Sequence, residues 1–288
     1  MLLSVCATAF GGTLSEQIRA AGDAGFEALE LRHAVDGVPL GRLDAARFSD
    51  LCGEAAEEGL TVATLALGQV AQWREKISEL RHVAALSALS GARVRFHSSA
   101  RPGGEALGDP PDMLYRLELD GVRTCVETIH AVHPETLVMI EPGRDSVCNT
   151  TARLAALLDD LGAPNVGINW DFVNAWRAGE HPWPEPWDHL RGRLYGVHWK
   201  GARAEPHEPR RYACHFVPGD DDIQHRSMWA TWAAVGFDGP VTADPEYHFF
   251  APRDHFDPEP ERPEWVLCCT YLDKMIDYRR RAWERLVC

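Results

Sequence analysis

Four residues in this sequence stand where chemistry could be done. Glu141 lies in "IEPG", Asp171 in "NWDFVN", His198 in "LYGVHWKG" and Asp244 in "TADPEY". Each closes a short run of apolar, β-prone residues. Taken singly, each has an ordinary explanation: a strand-end carboxylate caps a helix, and a buried histidine is satisfied within a core. Four of them at equivalent ends of consecutive runs are harder to explain that way. Three carboxylates and one imidazole form an O₃N donor set, which suits a hard or borderline divalent ion with positions left open for substrate oxygens. Mn²⁺ is the first expectation, followed by Mg²⁺, Zn²⁺ or Co²⁺. A structural zinc site would prefer Cys and His and would be closed. An ion held this way polarises a carbonyl and steadies an enediolate.

Such convergence needs a scaffold. Eight β-rich runs recur, at 2–7, 27–33, 61–67, 93–99, 136–142, 166–171, 194–199 and 239–244. They are nearly continuous in apolar residues, as strands buried on both faces should be. Helical stretches lie between them. "TLSEQIRAAGDAG" opens on a Thr with Glu three residues later, a capping box, and several stretches end on Gly. Eight strand–helix units predict an α/β fold, a (β/α)₈ TIM barrel in one domain over 1–288. No GxGxxG or GxxxxGK[ST] follows a strand, which argues against an open doubly wound sheet. Loop insertions are expected near 177–190 and 202–222, and a closing helix near 263–286. In such a barrel the C-terminal strand ends carry the site.

The 288 residues have a formal charge of −14. A strongly acidic chain lacks the phosphate-neutralising Lys and Arg that nucleic-acid binding requires. No apolar run reaches the length that spans a bilayer, and the start is read as a first strand rather than a leader. The eight cysteines form no CxxC pair, so reduced thiols and a cytoplasmic location are expected.

Other side chains could meet a substrate. Lys200, two residues after His198, shares its face if the strand continues, and could bind an oxyanion or act as an acid. Arg203 could hold a hydroxyl or carboxylate. His33 and His97 close the second and fourth strands and could line the mouth. Arg144 follows Glu141 and could bind a substrate oxygen or cap a helix. Trp170, Trp176, Trp183, Trp187 and Trp199 cluster near the sixth and seventh strands. Packing is the main role expected of them, with one or two forming an apolar wall for a sugar ring.

The segments "VMIEPG", "PNVGINWDFVNAWRAGEHP", "RLYGVHWKGA" and "VPGDDDI…WAAVGFDGPVTADPEY" resemble the xylose isomerase-like TIM barrels, the broad sugar phosphate isomerase/epimerase superfamily. The resemblance covers most of the chain and is strongest over 136–247. It implies a metal held by Glu141, Asp171, His198 and Asp244, with Glu141 and Asp244 as the catalytic pair exchanging a proton next to a ketose carbonyl. It implies a small carbohydrate-like substrate and a homodimer or homotetramer. Two positions depart from the pattern. The eighth strand offers Asp244 rather than Glu, one methylene shorter, with Glu246 the nearest alternative. Asn174 stands where a histidine is frequent; it can hydrogen-bond a hydroxyl but is a poor acid or base. These departures open a second chemistry on the same fold, a lyase expelling a hydroxyl in the manner of an inosose or dehydroshikimate dehydratase. The abasic-site nuclease branch needs further histidines, which "LALGQ" and Asn174 do not supply. A binding protein with a degraded site is opposed by the intact ligand set.

Overall fold

The computed structural model describes residues 1–101, 110–205, 208–216, 218–219, 221–245 and 272–281. Eight strands form the frame: β1 (Leu2–Cys6), β2 (Ala28–Arg32), β3 (Thr61–Gln69), β4 (Arg93–His97), β5 (Val138–Glu141), β6 (Val166–Asp171), β7 (Leu194–Trp199) and β8 (Pro240–Ala243). They close into a barrel in sequence order, with β8 pairing back onto β1. Every barrel pairing is parallel. The (β/α)₈ barrel read from the sequence is the observed fold.

Side-chain caps open some of the connecting helices. Helix α1 (Leu14–Asp23) starts on the Thr13–Glu16 capping box. Helices α2 (Ala45–Glu57), α3 (Ile77–Ser90), α4 (Asp112–His130) and α5 (Thr151–Leu161) follow. Gly91 and Gly162 end α3 and α5 in the left-handed conformation, where a Cβ would be strained. Helix α6 (Phe172–Arg177) begins directly at the end of β6, and α7 (His225–Ala234) precedes β8. No described helix is long and apolar enough to cross a membrane.

Alternation along β6 and β7 divides their side chains between two environments. Trp170 and Trp199 are fully buried. Trp170 stacks edge-on against Phe172 and Trp232 at 5.4 and 6.3 Å, and Trp199 against Trp229 at 5.3 Å. Trp183 packs on Trp170, while Trp176 and Trp187 pack partly buried against the same core. The tryptophan cluster is therefore packing around β6 and β7.

The residues alternating with those tryptophans are polar and converge. Gly196 is their spacer: a Cβ there would run into Asn169 Oδ1 and lie 2.9 Å from Met139 Sδ. Asn169 in turn donates to Glu141 Oε2 at 2.9 Å. Gly196→Ala should therefore cost about 1–3 kcal/mol through overpacking, read as a lower thermal midpoint. An unchanged midpoint would show that Asn169 can yield without loss.

Candidate active site

Register brings the strand ends together. Glu141 pairs across from His97, Asp171 from His198, and His198 from Thr242. Asp244, one residue past β8, donates its backbone N–H to Trp199 O at 3.2 Å. The side chains of Glu141, Asp171, His198 and Asp244 are all at most 1% exposed.

His198 lies at the centre. Its Nδ1 is 3.3 Å from Glu141 Oε1, 3.3 Å from Asp244 Oδ2 and 3.8 Å from Asp171 Oδ2. That nitrogen is buried and has no hydrogen-bond partner among the described residues. A buried polar atom left unpaired is costly, and one ringed by carboxylate oxygens is accounted for by a cation among them. Glu141, Asp171 and His198 each offer one ligand atom, all within 4.8 Å of one another. The residues thus fit a divalent ion. Asp244 stands beside this group of three. Its Oδ1 takes Arg32 at 2.7 Å and its Oδ2 takes Lys200 at 2.9 Å.

Asp171 does two jobs. Its Oδ1 caps α6, accepting from the backbone N–H of Val173 and Asn174 at 3.1 and 2.9 Å. Its Oδ2 accepts from the Asn174 amide and from Lys200, both at 2.9 Å. The cap and the inward carboxylate are one residue, because β6 runs into its helix without a loop.

Three cations hold the carboxylates. Arg95, 1% exposed, bridges Glu141 Oε2 at 2.5 Å and Glu30 Oε1 at 2.9 Å. Arg32 reaches Glu30 Oε1 at 2.8 Å as well as Asp244. Burial pushes every carboxyl upward, and the neighbouring cations outweigh it: Arg95 first for Glu30 and Glu141, Lys200 for Asp171, Arg32 for Asp244. All four are held below the usual carboxylate range and are ionised at neutral pH. Burial pulls His198 down, but Glu141, Glu30 and Asp244 drive it well above the usual imidazole value. Burial takes His97 down to about 4, so its ring is neutral. Four carboxylates against three fixed cations leave one charge for a proton on His198 to balance, and a metal ion would take over that role.

A family model described as xylose isomerase-like TIM barrel matches residues 18–265. The chain belongs to that family. No curated protein matches it in sequence. Among solved structures it is similar to D-psicose 3-epimerase from Clostridium cellulolyticum H10, crystallised with D-tagatose. The TM-score is 0.72 at 13% identity, covering 98% of this chain and 99% of that one. It is similar to the probable 3-DHS dehydratase AsbF of Bacillus anthracis, involved in petrobactin synthesis. There the TM-score is 0.71 at 14% identity, with 97% and 99% covered. A xylose isomerase-like TIM barrel protein from Mycobacterium smegmatis in complex with magnesium gives 0.69 at 16%, with 98% and 97% covered. At such identities these likenesses concern the fold.

Within this xylose isomerase-like barrel, the other side chains expected to meet substrate fall in different places. Lys200 does share the His198 face, but its ammonium is 1% exposed and ion-paired with Asp171 and Asp244. His97 reaches the cluster, its Nε2 2.9 Å from Arg95 Nη1 and its Nδ1 3.4 Å from Glu141 Oε1. The Asn174 amide is committed to Asp171. His33 follows β2 at a φ of 51°, exposed beside Gly68 and within electrostatic reach of Arg95, Arg32 and Glu30. Arg144 pairs with Asp145 at 2.5 Å. Arg203 is exposed, on a hairpin of Gly201–Glu205 against Glu208–Phe216. That hairpin is what the insertion near 202–222 becomes, with Arg203 on its exposed surface. Glu246 lies outside the described residues, as does most of the stretch read as the closing helix; 272–281 is helical.

Glu30, Arg32, Arg95 and Asn169 are cluster members that the strand-end reading misses. Their signal is in the alternation: Glu30 and Arg32 in "ALELR", Arg95 and His97 in "RVRFH". Two charged residues two apart inside an otherwise apolar parallel strand share one face, and in a closed barrel that face is the interior.

Proposed function

We propose that the chain is a divalent-metal-dependent enzyme acting on a small polyhydroxylated ketone, an isomerase or epimerase that moves a proton at the carbon next to the carbonyl. The observation that carries this is the buried Nδ1 of His198, without a hydrogen-bond partner among the described residues and ringed by Glu141, Asp171 and Asp244. Glu141, Asp171 and His198 would hold the ion, Mn²⁺ first, with Asp244 as a fourth ligand. When bound, the ion would supply Lewis acidity toward neighbouring carbonyl and hydroxyl oxygens. Glu141 and Asp244 are ionised, as proton acceptors must be, and come from β5 and from beyond β8. They can address a substrate from two sides. Arg95 and Asn169 fix Glu141 through Oε2, which leaves Oε1 for the chemistry.

One observation favours a second reading, a lyase. Where an epimerase needs a second free base, this site sets the Lys200 ammonium against Asp244 at 2.9 Å. That pair can abstract a proton on one side and protonate a departing hydroxyl on the other.

Elemental analysis of the purified protein tests the shared premise, with about one divalent ion per chain expected. Incubating the loaded protein with ketoses and inososes, and weighing the products by mass spectrometry, separates the readings. An isomer of unchanged mass supports the first, and a product lighter by one water supports the second. A protein that takes up no metal when supplied with it refutes both.

A further inference from the structure

The imidazole of His198 has two nitrogens, and only one faces the carboxylates of β5, β6 and β8. The other, Nε2, lies 3.0 Å from Glu30 Oε2, across the barrel interior on β2. Glu30 is 1% exposed, and its two oxygens are used differently. Oε1 accepts from Arg95 Nη2 at 2.9 Å and from Arg32 Nε at 2.8 Å, and the Cys6 thiol lies 3.6 Å away. The carboxylate is thereby fixed in orientation, with Oε2 directed at the imidazole.

A carboxylate accepting the far N–H of a histidine makes the near nitrogen the one with the lone pair. It also locks the ring plane and raises the basicity of that nitrogen. We propose that Glu30 is a positioning residue for the metal site. It holds His198 as the Nε2–H tautomer, so that Nδ1 is presented to the ion together with Glu141 and Asp171, and Arg95 and Arg32 clamp Glu30 for that task. The proposal rests on the metal-centre reading above and adds the part of the site that decides how strongly the ion is held. Glu30 is not among the three residues whose ligand atoms gather for the ion, and it acts on the site through His198.

The test uses Zn²⁺, a diamagnetic probe, on the full chain. Histidine-selective ¹⁵N spectra of the zinc-loaded wild type, with His198 assigned from its loss in His198→Ala, should show Nδ1 bound to metal and Nε2 protonated. Zinc affinity from chelator competition should fall about 10- to 100-fold in Glu30→Gln, which removes the charge and keeps the shape. Zinc on Nε2, or a folded Glu30→Gln protein with unchanged affinity, overturns the positioning role and leaves the metal centre standing. A wild type that binds no zinc overturns both. Should Glu30→Gln fail to fold, the wild-type spectrum decides alone, because it needs no variant at Glu30.

Discussion

Arg95→Met should lower the stability of the metal-free protein at neutral pH by about 3–5 kcal/mol, the scale for breaking a buried ion pair from one side, and should reverse the acid branch of its stability profile. Arg95 is the cation common to Glu30 and Glu141, at 2.9 and 2.5 Å. Methionine fills much of the same volume, so the loss is mainly electrostatic. In the wild type both carboxyls titrate well below their usual value of 4.5, because Arg95 and its neighbours outweigh burial. A depressed carboxyl contributes stability that is present above the unfolded-state pKa and is lost as pH falls through the folded value. The wild type should therefore weaken on acidification below about pH 4.5. Without Arg95, the largest lowering influence on both carboxyls is gone, and burial pushes the pair upward against only the weaker influences, chiefly His198. A raised carboxyl works in the opposite sense, so the variant should gain stability as pH falls from 7 toward 5. Urea melts of both proteins across that range read the sign directly. Parallel profiles would mean that Arg95 does not carry the charge balance of the barrel interior.

The same arginine shows where sequence reading stops. The barrel itself is legible because parallel strands buried on both faces must be apolar runs. The run at 194–199 is β7 (Leu194–Trp199) without adjustment, and that at 136–142 shrinks only to Val138–Glu141. Glu141, Asp171, His198 and Asp244 are legible because strand ends in a barrel converge whatever their partners are. Arg95 and Glu30 lie two positions deeper, inside runs that establish the strands by being apolar. Pattern matching treats a charge there as a tolerated exception. Their pairing cannot be read locally: Glu30 meets Arg95 across 65 residues and His198 across 168. Only closure of the barrel makes them neighbours. Arg203 shows another limit: a substrate contact and a loop charge read alike in the sequence. After Gly201 the backbone leaves the barrel and pairs antiparallel with Glu208–Phe216, with Arg203 exposed.

His198→Ala should have the largest effect on the metal centre, taking metal content from about one ion per chain to below about one-tenth. Only the carboxylates of Glu141, Asp171 and Asp244 remain after the substitution. Lys200 already pairs with the Oδ2 atoms of Asp171 and Asp244, and the substitution removes the neutral nitrogen that shares the ion with these carboxylates. The second signature is a proton. In the metal-free protein, burial lowers the His198 pKa, but Glu141, Glu30 and Asp244 raise it further, well above 6.5. A raised histidine contributes stability that is fully present below its unfolded pKa and disappears as pH climbs through the folded value. Metal-free wild type should thus lose stability on the alkaline side, and His198→Ala should lack that loss. A ligating nitrogen must give up its proton, so metal uptake near neutral pH should release about one proton per ion, and affinity should increase with pH. Calorimetric titrations in buffers of different ionisation enthalpy count that proton. If His198→Ala keeps its metal, Nδ1 is not a ligand and the ion sits elsewhere. If the wild type binds metal with no proton released, His198 is already neutral, and the charge balance assigned to the four carboxylates is wrong.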